Sequence, residues 1–167
     1  MEHERLVLEK VAGNPFFYNA LYLDRLAQVA QVAVNGQIVV VINLHLEAFD
    51  RPTRQGQTEF VLALAETYAE QYPVLLLGDF NSALNRDAEG APRSIQTVLD
   101  ASGFQPVVAA ADWEVSEQFT YPSGMPEFKL DYIFYTPDRI ELLEAQVIAE
   151  GREASDHLPL LMRWRLR

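Results

Sequence analysis

The chain has 167 residues, of which 49% are hydrophobic and 22% charged, with no cysteine and a formal net charge of −11. That is one domain's worth of chain, apolar enough to bury a core, and the missing cysteine excludes disulfides, thiol nucleophiles and zinc–thiolate sites. The acidic balance argues against a surface made for long stretches of nucleic acid, because such affinity comes largely from Lys and Arg displacing phosphate counterions.

The opening Met-Glu-His-Glu-Arg leads into no sustained apolar segment, and no later run approaches membrane-spanning length. No targeting signal is read, and the default compartment is the cytoplasm. Residues 6–22 are dense in aromatics (Phe16, Phe17, Tyr18, Tyr22) that are expected to pack, but their spacing selects neither helix nor strand. Residues 28–34 alternate in the manner of a strand, Asn35-Gly36 supplies the two positive-φ positions of a tight turn, and 38–43 runs back. This is a β-hairpin, and its returning strand is apolar on both faces, which implies a sheet covered on both sides.

From about 53 to 72, Val61, Leu64, Ala65, Tyr68 and Tyr72 recur at helical spacing. Pro73 blocks continuation, and a buried strand follows at 74–77. Residues 85–92 read as loop. A shorter helix is expected from Ser94, an N-cap type, to Gly103. The last third reads as strands at 119–121, 129–135, 140–148 and 158–164, with 122–126 as a turn. No repeat or linker divides the chain, so residues 1–167 form a single domain.

Polar clusters punctuate these strands: Asn43-Leu44-His45-Leu46-Glu47, Gly78-Asp79-Phe80-Asn81, Leu130-Asp131-Tyr132 and Ser155-Asp156-His157. Two of the three histidines fall within them. Asp79 and Asn81, two apart, would point to one side of a continuing strand, where a carboxylate and an amide can hold a water and a phosphate oxygen; otherwise they only shape a turn. Asp131 is flanked by Leu130, Tyr132, Ile133 and Phe134, so its carboxylate needs a partner to stay charged. His157 is the natural candidate, because such a pair fixes the imidazole tautomer. Asp156 offers a hard oxygen ligand of the sort magnesium or manganese prefers, or else caps a loop. His45, Asn43 and Glu47 sit where a strand ends, as site residues or as a backbone-satisfied histidine and solvated polar positions. Glu141, Glu144, Glu150 and Glu153 read as a solvated face.

Taken in order, Asn-Leu-His-Leu-Glu, Gly-Asp-Phe-Asn, Leu-Asp-Tyr-Ile-Phe and Ser-Asp-His-Leu-Pro resemble the motif series of the endonuclease/exonuclease/phosphatase family, the superfamily of deoxyribonuclease I. Thr120-Tyr121-Pro122, and Arg54 with Gln57, add to the likeness. The resemblance implies an α/β fold, a four-layer α/β/β/α sandwich, and a divalent-metal-dependent hydrolase of phosphoester bonds using Mg2+ or Mn2+. In that likeness His45 contacts the scissile phosphate, Asn43 and Asn81 help bind substrate, and Asp79 aligns or deprotonates the attacking water. Asp131 orients His157, which stabilises the phosphoryl oxygens, and Asp156 with Asp79 attends the metal. The substrate would be a small phosphodiester or phosphomonoester, a lipid head group or nucleic acid, the acidic balance favouring the small ones. Residues 85–92 and 109–127 are expected to line the cleft.

The family's early metal-binding glutamate has no counterpart here, since Glu2, Glu4 and Glu9 lie in the wrong context. The chain therefore resembles the C-terminal part of a longer protein, with apolar faces and strand edges open to self-association or to completion by another polypeptide. A catalytically silent domain of the same fold, binding phosphorylated ligands or a partner protein, is the alternative function.

Overall fold

A computed structural model of the chain describes residues 2–10, 24–83, 94–101 and 103–167. Ten elements carry the argument: strands β1 (His3–Val7), β2 (Leu26–Val34) and β3 (Gln37–His45), helix α1 (Arg51–Ala69), β4 (Val74–Asp79), helix α2 (Ser94–Asp100), β5 (Gln105–Pro106), β6 (Asp131–Tyr135), β7 (Ile140–Val147) and β8 (Leu160–Leu166). The aromatics at 16–22 and the expected loop at 85–92 lie outside the described residues.

The hairpin forms as its turn residues demand, with φ of 51° at Asn35 and 82° at Gly36, joining β2 to β3 in antiparallel register. α1 starts at Arg51, two residues before the expected point, because Asp50 caps it by accepting a hydrogen bond from the Thr53 N–H at 2.9 Å and a proline occupies its first turn. The helix then carries the chain across to β4, which pairs parallel with β3. The main sheet runs β1-β2-β3-β4-β6-β5, and β7-β8 form a second, two-stranded sheet.

β3, β4 and β6 are apolar on both faces because both are covered. Val40, Ile42, Leu44, Leu76 and Phe134 pack with Val61 and Ala65 of α1 and with Ile95 and Val98 of α2. On the opposite face Val41, Leu75, Leu77, Ile133 and Tyr135 meet Ile140, Leu142, Leu160, Met162 and Trp164 of the second sheet. The described residues thus stack helices, a mixed sheet and a second sheet, an α/β sandwich with two apolar cores. The outer face of the second sheet carries the cross-strand pairs Arg163–Glu144 and Arg165–Glu141 (2.9 and 2.8 Å) beside an exposed Leu161.

Two expectations change. Residues 119–121 form no strand: Tyr121 makes one isolated bridge to Phe128, because the chain reverses at once through 122–125. Thr120 is instead a buried clamp. Its Oγ1 accepts the N–H groups of Leu130 and Asp131 at 3.2 and 3.3 Å, and its carbonyl accepts the Leu158 N–H at 2.7 Å. Glu47 is not solvated but fully buried, since the chain past β3 stays tied to β4 by the Leu46 N–H to Asp79 O bond of 2.9 Å.

Candidate functional site

The carboxyl ends of the parallel pair β3 and β4, the first residue of β6 and the turn before β8 meet at one end of the sandwich. There a cleft of about 500 Å³ is lined by, among others, Arg25, His45, Asp79, Asn81, Asp131 and His157. Ligands in open α/β sheets collect at this edge because the strand ends carry the side chains that point past the sheet.

Backbone geometry sets each group. β3 and β4 approach so closely that a Cβ on Gly78 would stand 2.0 Å from the Leu44 carbonyl oxygen, and Gly78 has φ +130°. Glycine permits the contact and so brings Asp79 level with His45 across the ladder. Past the strand, Asn81 takes φ +50° and folds back on Asp79. Its N–H donates to Asp79 Oδ1 (2.8 Å), and its Nδ2 donates to Asp79 Oδ2 (3.1 Å) and to the Leu46 carbonyl (2.9 Å). Thr120 holds the start of β6 and the Leu158 amide, and Ser123 laces the intervening loop by donating to the carbonyls of Ser155 and Arg152 at 2.7 and 3.0 Å. Asp131 and His157, 26 positions apart, therefore face each other: His157 Nδ1 lies 2.7 Å from Asp131 Oδ2. The Tyr121 ring leans on the imidazole, with ring centres 4.8 Å apart.

A carboxylate can only accept, so His157 Nδ1 carries the proton and Nε2 is directed into the cleft, 4.0 Å from Asp79 Oδ2. The hydrogen bond to Asp131 raises the His157 pKa, overcoming the opposing effect of burial. Burial pushes the Asp79 carboxyl up to about 6, with the nearby Asp131 charge adding to the rise. His45 goes the other way: burial first, and then the Arg25 guanidinium, lower its pKa. Its Nε2 lies 2.6 Å from Arg25 Nη1 and 3.5 Å from Asp79 Oδ2. These contacts compete, since the first makes Nε2 an acceptor and the second a donor. A guanidinium can only donate, the Arg25 contact is much shorter and the imidazole is driven neutral, so Nε2 accepts from Arg25 and Nδ1 holds the proton.

Of the residues singled out from sequence, His45, Asp79, Asn81, Asp131, Asp156 and His157 all line the cleft, Asp156 on its exposed rim. Asn43 does not. It is exposed, one β-step back from His45. From 109–127 the cleft takes Tyr121. Sequence reasoning missed Arg25, whose place beside His45 depends on the β2–β3 register, and Thr120, which it read only as part of a motif. Asp79, Asp131 and His157 can each bring one ligand atom within 4.8 Å of the others, although Asp131 and His157 already share a hydrogen bond.

An α/β sandwich of the deoxyribonuclease I-like type, with its polar cleft at the strand ends, is the class these features define. The chain belongs to the Endonuclease/Exonuclease/phosphatase family, whose model matches residues 6–157. It is similar to a UPF0294 protein of Vibrio cholerae, 35% identical over 132 residues, which are 79% of this chain and 42% of that protein. The chain thus spans less than half the length of that relative. A UPF0294 protein of Vibrio vulnificus is 27% identical over 132 residues, 79% of this chain and 41% of that protein. Among solved structures, an endonuclease/exonuclease/phosphatase from Bacteroides vulgatus superposes with TM-score 0.72 at 20% identity, covering 100% of this chain and 66% of that one. D. rerio TDP2 in complex with a single strand DNA product gives 0.71 at 19%, covering 99% and 67%. A mannosyl-6-phosphatase of Bacteroides thetaiotaomicron gives 0.63 at 20%, covering 86% and 58%.

Proposed function

We propose that this cleft hydrolyses phosphoester bonds with the help of a divalent cation, Mg2+ or Mn2+, and an Asp–His pair. The observation that carries this reading is the convergence of Asp79, Asn81 and the Asp131–His157 pair, drawn from β4, β6 and the turn before β8, on one cleft. Family membership supports it, as do neighbours named for phosphorylated substrates: the mannosyl-6-phosphatase, and TDP2 with its DNA product.

The donor set fits a hard cation. Asp79 is a buried carboxylate whose ionisation is opposed by burial and by Asp131, and a divalent ion would relieve that crowding. The rim carboxylate of Asp156 supplies a second oxygen, and magnesium needs few protein ligands beyond its waters. Asp79 and Asp156 would hold the ion, which supplies Lewis acidity toward a phosphoryl oxygen and a more acidic bound water. Asp79, tied to Asn81 through both of its oxygens, would align the attacking water. Asn81, fixed by its bonds to Leu46 and Asp79, orients that water and the phosphate. His157, its charged form favoured by Asp131, directs Nε2 at the oxygens on which negative charge grows. The net charge of −11 favours small phosphodiesters, phosphomonoesters or lipid head groups over long nucleic acid.

The test is turnover of a generic aryl phosphodiester by the purified chain with Mg2+ or Mn2+ against EDTA. Metal-dependent hydrolysis is expected, and His157→Ala should slow it by about a hundredfold or more. An unchanged rate in His157→Ala removes the Asp–His role. No turnover under any metal, with phosphate still bound, favours the catalytically silent binding domain.

A further inference from the structure

Phe49 is the most exposed large apolar residue among those described, at 73%, and it stands on the wall of the polar cleft. A scattered exposed phenylalanine needs no explanation. This one is held in place by buried charges. Glu47, whose side chain has no exposure at all, accepts the Phe49 and Asp50 N–H groups on Oε1 at 2.8 and 3.3 Å, while Arg25 Nε stands 3.8 Å from its Oε2. Arg54, only 4% exposed, donates through Nη1 to the carbonyls of Glu47 and Ala48 at 2.9 and 3.2 Å. Asp50 then caps α1, and the Leu46 N–H is bonded to β4. The chain is thus tied on both sides of Phe49, and only the side-chain torsions of the phenyl ring are left free.

Withdrawing charges from water costs stability unless they are well paired, and a ring that stays so exposed returns little of it by burial. The loop makes physical sense as a pre-organised contact for something that enters the cleft. What enters is set by the rest of the wall. A phosphoryl group fills a small part of about 500 Å³, a volume in the range of sites for whole small molecules. Asp79, Asn81, Asp131 and His157 gather the polar contacts, and Ala48 extends the apolar side next to Phe49. Tyr121, a second aromatic of the lining, is already against the His157 imidazole. An open phenyl face at a rim is covered best by another planar ring in an offset stack. A flexible alkyl chain meets less of it and loses more rotamer freedom.

Resting on the phosphoester reading above, we infer that Phe49 is a specificity-determining residue: it stacks on an aromatic ring carried by the ester substituent of the bound phosphoester. The preferred substrates are then esters of ring-bearing alcohols, phenols or nucleosides, over those of simple alkyl alcohols. No bond is made or broken at Phe49.

The test titrates methyl, cyclohexyl and phenyl phosphate, monoesters of like charge, and thymidine 5′-monophosphate into the full chain with Mg2+, following the 31P shift of each ester. At least one ring-bearing ester should bind about fivefold or more tighter than the methyl and cyclohexyl esters. A gain for phenyl phosphate assigns the ring to a phenol, and a gain for thymidine 5′-monophosphate assigns it to a nucleobase. Phe49→Ala should erase the preference and leave methyl phosphate within about twofold, because the side chain lies at the surface and the backbone bonds stay. Phe49→Trp should restore it. Aromatic esters that bind no tighter than cyclohexyl phosphate overturn the inference. So does a Phe49→Ala loss shared equally by all esters, which marks a merely structural role. Turnover of the aryl diester is followed separately. Ring preference without turnover sinks the hydrolytic reading and leaves this one standing, turnover without ring preference does the reverse, and a chain that binds no ester and turns none over loses both.

Discussion

Asp79 is mostly buried beside Asp131, and its carboxyl titrates at about 6 against 3.8 for an ordinary aspartate. A raised folded-state pKa means that folding favours the protonated form. The associated stability is full below 3.8, where folded and unfolded chains are both protonated, and is lost as pH rises through about 6. At neutral pH the cost is on the order of 3 kcal/mol. Asp79→Asn removes the ionisation but deprives Asn81 Nδ2 of a carboxylate acceptor, at about 1 kcal/mol. In EDTA the variant should therefore melt about 5 °C above the wild type at pH 8, with the gain gone at pH 4. Mg2+ should raise the wild-type midpoint at pH 8 and leave the variant nearly unmoved. An equal difference at both pH values would show that Asp79 carries no buried-charge penalty.

At the scale of elements, the parallel pairing of β3 and β4 is what levels His45 with Asp79, and Gly78 is the residue that permits it. Gly78→Ala puts a methyl 2.0 Å from the Leu44 carbonyl oxygen at a φ of +130°, so backbone must move. Chemical denaturation should show a loss of about 3 kcal/mol or more, and a stability within 1 kcal/mol of wild type would mean that the strands separate without cost. Elements of this kind were legible where local chemistry specifies them. Asn35-Gly36 names its turn, Pro73 ends a helix whose apolar stripe is plain, and Asp131 amid apolar neighbours has to find a partner, which proves to be His157. Arg25, Glu47 and Thr120 were not legible as what they are. Their roles arise where antiparallel register sets residue 25 beside 45–47, and where one turn touches both β6 and the approach to β8. These are long-range pairings on which no local pattern reports. The strand expected at 119–121 failed for the same reason: β-type residues there serve a clamp rather than a ladder.

The whole molecule sets the approach of substrate. With a net charge of −11, the long-range field of this chain repels any phosphate, while the proposed cation would attract it only within the cleft. Salt screens the first far more than the second, because the Debye length falls from about 30 Å at 0.01 M to about 10 Å at 0.1 M, whereas contact distances inside the cleft are shorter still. kcat/KM for a small anionic diester at saturating Mg2+ should therefore rise across that range, about two- to threefold. A protein whose substrate is gripped by a basic surface behaves oppositely, since each phosphate neutralised releases counterions and affinity falls with salt. Steady-state kinetics at constant pH and metal concentration distinguish the two. A steep decline would mean that a local basic surface outweighs the net charge, and it would make nucleic acid rather than small phosphoesters the substrate class to pursue.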